Sequence, residues 1–125
     1  MPADNLWGDL KITPSRTPYT ILKEQAEKLT ELTGYTLHGE VAQREWGGKF
    51  KVGLLIRVPA LDDYRFEILE VTYNIDLYPL ELQDVVHQRR ASCNNEEEFL
   101  AEVKKVLQSP EIRSAISVLL SQASG

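Results

Sequence analysis

The spacing of apolar residues changes twice along this chain, and neither an all-helical nor an all-strand fold accommodates both spacings. Residues 17 to 34, TPYTILKEQAEKLTELTG, repeat apolar residues at helical intervals; residues 35 to 73 repeat them at every second position; from Asn94 onward the helical interval returns. A helix presents one face about every 3.6 residues and a strand every two, so the order specifies an α+β chain of helix, strands, helix, helix.

The first helix carries its own punctuation. Thr17 can cap the first free N–H groups, Pro18 fits the first helical position, and Gly34 suits the left-handed residue past the end. Leu22, Ala26, Leu29 and Leu32, widened by Ile21, form the stripe expected to be buried, with Glu24 and Lys28 as an i,i+4 pair on the solvated side. Tyr35, Leu37 and Val41 then alternate with polar residues in a first strand, and Gly47 and Gly48 tolerate the positive φ of a tight hairpin. In the second strand Phe50, Val52, Leu54, Ile56 and Val58 face one way, and Lys51, Gly53, Leu55 and Arg57 the other.

Pro59 ends that strand, Asp62 and Asp63 make a polar turn, and a third strand runs from Tyr64 to Tyr73. Its apolar phase shifts from Tyr64, Phe66 and Ile68 to Leu69, Val71 and Tyr73, which a bulge or burial on both faces explains. A turn at Asn74 and a short edge strand through Ile75 and Leu77, blocked by Pro79, are expected next. Asn94 or Asn95 caps a helix that opens on Glu96, Glu97 and Glu98 and buries Phe99, Leu100, Val103, Val106 and Leu107; Ser109 and Pro110 open a last one with Ile112, Ala115, Ile116, Leu119 and Leu120 inward.

These elements predict a long N-terminal helix packed on a three- to four-stranded antiparallel sheet, with the C-terminal helix pair over its end or edge. By analogy of element order, this is a half-open cone of the cystatin-like type. With 125 residues, no repeat and no composition shift, the expectation is one domain over 1–125, residues 1–16 forming a partly extended arm.

Composition excludes several classes of function. A net charge of −5 disfavours a nucleic-acid partner, and Glu96, Glu97 and Glu98 offset the basic pair Arg89 and Arg90. No apolar run approaches a membrane span, no basic-then-apolar leader is seen, and a single cysteine forms no internal disulfide, so a cytoplasmic location is expected.

The opening LWGDL, followed by RTPYTILKEQAEKLTELTG, resembles the start of small uncharacterised bacterial proteins that pair an LWG element with a TPxxILxEQA helix; the resemblance extends to NNEEEFLAEVKKVLQSPEI. It implies a bacterial, cytoplasmic origin. No activity is assigned to such proteins, so no catalytic residue is carried over.

Candidate chemistry concentrates in VVHQRRASCNNEEEFL, residues 85 to 100, which holds His87, Arg89, Arg90 and the only cysteine, Cys93. A thiolate nucleophile with His87 as base is one reading. A loop leading into a capped helix is preferred, because the asparagines and glutamates already explain the stretch and no glycine shapes an anion nest. With His38 on a different strand, His87 and Cys93 fall short of a metal ligand set, and no phosphate loop, GxSxG or HExxH is present. Glu67 and Glu70 could do acid–base work only from one face, and a regular strand points them to opposite faces. No catalytic, cofactor or metal residue is therefore assigned.

Six residues remain as candidates for an interaction surface or pocket: Trp7, Trp46, Leu55, Arg57, Tyr64 and Tyr73. Trp7 is read first as an anchor of the arm, since Leu6, Leu10 and Ile12 also need burial, and second as a hot spot for a partner. Leu55 breaks an otherwise polar strand face and marks, with the sheet edge, where a homodimer would form. The leading reading is a small interaction protein, antitoxin-like, immunity-like or an adaptor, meeting a protein partner through an acidic and aromatic surface. The alternative is a small-molecule or enzymatic domain whose pocket lies between the sheet and the first helix, lined by Tyr35, Tyr64, Tyr73 and Arg57.

Overall fold

Helix α1 spans Pro18–Leu32, and its start follows the sequence grammar: the Thr17 hydroxyl accepts from the Thr20 N–H at 3.1 Å, with Pro18 at the first position. In the computed structural model, which describes residues 4–125, α1 leads into five strands and two further helices. The strands are β1 (His38–Trp46), β2 (Lys49–Val58), β3 (Tyr64–Tyr73), β4 (Leu80–Asp84) and β5 (Arg89–Cys93); α2 covers Glu96–Leu107 and α3 Pro110–Ser124. The expected class therefore holds, with one correction in length: α1 has 15 residues, as α3 does, and is not long.

The strands form one antiparallel sheet in the order β1-β2-β3-β4-β5, each paired with its neighbour in sequence. Gly47 and Gly48, at φ 57° and 79°, make the two-residue turn between Trp46 and Lys49, the conformation that glycine adopts without a Cβ clash. The phase shift in β3 is a bulge: Leu54 faces Leu69 and Leu55 faces Glu67, leaving Ile68 as the extra residue, so Ile68 and Leu69 are both buried. Because of that bulge Glu67 and Glu70 both lie opposite outward residues of β2, Leu55 and Gly53. This corrects the expectation that they diverge.

The edge strand expected at Ile75 and Leu77 is a loop. Leu77 sits at φ 71°, Ile75 is exposed, and β4 begins immediately after Pro79. β4 and β5 are the strands that the sequence reading left out. The stretch from Val85 to Asn94 is accordingly a hairpin turn with Gln88 at φ 55°, then strand β5.

One face of the sheet carries the helices. α1 packs on β1 and β2, α2 on β5, and α3 on α2 and the short 3-10 turn at Pro59–Leu61. The core joins Ile21, Leu22 and Ala26 of α1 to Val52, Leu54, Ile56, Val71 and Leu82 of the sheet and to Phe99, Val106 and Ile112 of the last helices. Leu32, expected at the end of the buried stripe, is exposed, and Leu29 and Leu100 are only partly covered. The surface pairing also differs from expectation: Glu24 bonds Arg16 at 3.1 Å, and Lys28 faces Glu31 at 3.9 Å.

At the start of α2, Asn95 is the cap. Its Oδ1 accepts from the Glu98 N–H, and Glu98 Oε1 accepts from the Asn94 N–H, each at 2.9 Å. Asn95→Ala is therefore expected to lower stability by about 1 kcal/mol in urea denaturation. Asn94→Ala, which keeps the backbone N–H that Glu98 uses, should change it by about 0.5 kcal/mol at most. Equal effects would contradict the assignment.

Candidate functional site

The inner face of the β4–β5 hairpin changes from apolar at Leu80, Leu82 and Cys93 to charged at Asp84 and Arg89. Asp84 is fully buried, and it is neutralised on the spot. Its Oδ1 accepts the His87 backbone N–H at 3.0 Å, its Oδ2 lies 2.7 Å from His87 Nδ1, and Arg89 Nε stands 3.4 Å away. His87 Nε2 reaches Glu111 in the first turn of α3 at 3.0 Å, and Arg89 reaches Glu102 of α2 at 3.5 Å. A buried carboxylate left unpaired would be strongly destabilising, so this chain of ion pairs keeps Asp84 tolerable while tying both C-terminal helices to the sheet.

The chemistry of the opening candidate follows from that geometry. Both ring nitrogens of His87 face carboxylates, which raises its pKa above the ordinary 6.5, chiefly through Glu111 and then Asp84. Cys93 lies at the far end of β5 from the His87 turn, in the core, and burial pushes its thiol up to about 11. An imidazole whose two nitrogens are taken by carboxylates and a buried thiol at the opposite end of the strand make neither a base–nucleophile pair nor a metal site. Among the described residues no group of three or more His, Cys, Asp or Glu side chains is arranged to hold a metal, and His38 sits on β1 opposite Arg57.

The stability carried by this tie depends on pH. The raised His87 pKa gives a contribution that is complete below 6.5 and fades as pH rises through the folded-state value. Glu111, lowered by the same His87 bond, contributes above 4.5 and loses its contribution as pH falls through its own lowered value. The stability difference between the parent and His87→Gln is thus expected to be largest near pH 6 and to shrink toward pH 9, measured by chemical denaturation. A difference that stays constant over that range would show that His87 acts by packing alone.

The six sequence-selected residues do not converge. Arg57 faces away from the helices, donating from Nε to Glu40 at 2.6 Å and from Nη1 to Asp63 at 2.9 Å, whereas Tyr73 is buried on the helix side against Phe50. Tyr35, at φ 66°, is exposed in the turn after α1, and Tyr64 is exposed at the start of β3. The pocket expected from Tyr35, Tyr64, Tyr73 and Arg57 is therefore absent. Leu55 is 4% exposed, covered by its outer-face neighbours and separate from the main core, which removes it as a ready apolar contact for a second copy. Trp46 is exposed, with Lys51 Nζ 4.8 Å from its ring centroid.

Trp7 is 77% exposed, so the anchor reading is overturned. Leu6, Leu10 and Ile12 share that exposure, between 56 and 92%. The arm rejoins the fold at Arg16, whose ion pair with Glu24 lays its root along α1. The Tyr73 hydroxyl lies against the backbone of Tyr19, which puts the start of α1 at the end of the sheet bearing Trp46 and the Gly47–Gly48 turn.

A second feature is lined by none of the six candidates. α1 and the α2–α3 pair stand apart above the sheet, and the gap between them is a cavity of about 410 Å³. Its floor is Leu54 and Ile68, and its walls are aliphatic side chains such as Leu29 of α1, Val103 of α2 and Ile116 of α3.

No protein-family model matches the chain, and neither a curated protein nor a solved structure matches it. Among the described residues no helix is long and apolar enough to cross a membrane.

Proposed function

We propose that this protein is a small interaction module that presents its N-terminal arm to a protein partner. One observation carries the reading: four large apolar residues, Leu6, Trp7, Leu10 and Ile12, stand exposed within one short arm. Exposed apolar clusters of this kind mark interaction sites, and tryptophan is among the residues most often found at the energetic centre of an interface. Trp46 is a second exposed tryptophan, and in the arm Asp4 and Asp9 are balanced by Lys11 and Arg16, so aromatic and aliphatic contact rather than charge would carry recognition. The role is that of an antitoxin-like or immunity-like inhibitor or of an adaptor. We place it in a bacterial cytoplasm, on the sequence resemblance and the lone cysteine.

Affinity capture from the native host, run in parallel with the parent and with Trp7→Ala, tests this. Trp7 touches none of the core, so the variant should keep its melting temperature. Loss of a hot-spot tryptophan should weaken the specific partner by about thirtyfold or more, roughly 2 kcal/mol. An identical set of captured proteins with the same affinities would refute the role of the arm.

A further inference from the structure

The cavity between α1 and the α2–α3 pair lies away from the arm's apolar residues and has a composition of its own. Every group on its floor and inner walls is aliphatic; no aromatic ring lines it. A ligand with ring nitrogens or hydroxyls in its body would leave those groups without partners there, which disfavours sugars, nucleosides and peptides with buried polar groups. The body that fits is an alkyl chain.

The rim supplies the other half. Polar side chains at the mouth are Gln25, Lys28, Lys104, Gln108 and Arg113: three cations and two amides, with no carboxylate. The whole chain carries a net charge of −5, so a mouth of one positive sign runs against its overall balance. Among the described residues Lys104 and Arg113 make no ion pair, and Lys28 faces only Glu31 at 3.9 Å. Cations beside an apolar cleft favour an anionic head at the opening.

Size separates a small amphiphile from a docked helix. The volume of about 410 Å³ lies within the range of roughly 300–1,000 Å³ of small-molecule sites. It equals about one turn of an α-helix 10 Å across, too little for a helical stripe to settle in.

We infer that this cavity binds a single-chain aliphatic carboxylate, a free fatty acid, with the alkyl chain on Leu54 and Ile68 and the carboxylate at Lys28, Lys104 and Arg113. The site is separate from the proposed arm interface, and its test does not depend on any partner protein.

The test uses the full chain and sodium octanoate, decanoate and dodecanoate below their micelle concentrations, with decan-1-ol and decyltrimethylammonium as controls. Binding is read by calorimetry and by methyl NMR. Affinity should rise about fourfold for each methylene that enters the cavity and level off when it is full. Decanoate should bind at least about tenfold more tightly than decan-1-ol, and the ammonium should bind least. Lys104→Ala combined with Arg113→Ala should weaken decanoate about tenfold while leaving decan-1-ol and the melting temperature unchanged. Leu100→Glu, at a partly exposed position on the mouth, should abolish decanoate binding in a folded chain. The inference is overturned if no member of the series binds, if acid, alcohol and ammonium bind alike, or if the shifted methyls belong to Leu6 and Leu10 of the arm instead of Leu54 and Ile68.

Discussion

A chain ending at Ser109 is expected to melt at least about 15 °C below the full chain, or to show no cooperative transition at all. Removing α3 uncovers the sites of Ile112 and Leu119, both buried, and strips cover from the part of the core that Ile116 and Leu120 pack against. Each fully buried aliphatic contributes about 1.5–3 kcal/mol, so the first two alone account for roughly 3–6 kcal/mol. A domain of this size has only about 5–15 kcal/mol in total. The deletion also takes away Glu111, leaving His87 with Asp84 as its one remaining carboxylate partner. Circular dichroism melting of the shortened chain decides the matter, and labelling of Cys93 gives a second readout, because its thiol is covered only while the core is closed. An unchanged melting temperature would mean that α3 is an attached arm and not part of the core.

Gly39→Ala is expected to destabilise by about 3 kcal/mol or more, in contrast to Gly53→Ala, which should stay within about 0.5 kcal/mol. A Cβ on Gly39 would overlap the backbone carbonyl of Ala26, where α1 comes closest to β1. That approach is fastened by Thr30, whose hydroxyl donates to the Ala26 carbonyl at 3.1 Å and accepts from the Gly39 N–H at 2.9 Å. Lifting the helix by the width of a methyl breaks this bridge and opens the packing of Ile21 and Leu22. Gly53, on the outer face, would place its Cβ 3.9 Å from the Leu69 carbonyl, an ordinary contact. Urea denaturation of the two variants side by side gives the comparison. A Gly39→Ala variant as stable as Gly53→Ala would show that α1 rides higher on the sheet than described.

Three local signals agree with the structure, whereas the Glu24–Lys28 pair, the strand start at Tyr35 and the edge strand at Ile75 and Leu77 do not. Thr17 and Pro18 start α1, Gly47 and Gly48 close the first hairpin, and the phase change at Ile68 and Leu69 is a bulge. The strands missed, β4 and β5, are short and are joined by turns without glycine; Leu77 and Gln88 take the positive φ that a glycine would have announced. Their alternation was legible in Leu80, Leu82 and Asp84, but the inward position at the end is a carboxylate, which an apolar pattern does not count. Trp7 and Leu55 failed for opposite reasons. Apolar residues in an arm need burial, but nothing local says that this chain supplies the cover. A leucine on a polar face can be hidden by the long side chains around it. The cavity was not legible because it is a space between elements, set by how far α1 stands from α2 and α3.

The agreement between strand order and chain order has a kinetic side. Each strand pairs with the one made immediately before it, so no strand has to enter between two that are already placed, and the sheet can grow as successive hairpins, each formed in about 1–10 μs. The helical layer grows differently. α1 is made first but gains its floor only when β1 and β2 close, whereas α3 is made last and docks on α2 and the Pro59–Leu61 turn, already in place. Until it docks, the apolar surface of α2 and of the Pro59–Leu61 turn on which it packs faces water. The slow, exposed stage of folding is thus the arrival of the final helix, and substitutions at Ile112 or Leu119 should speed unfolding far more than they slow folding.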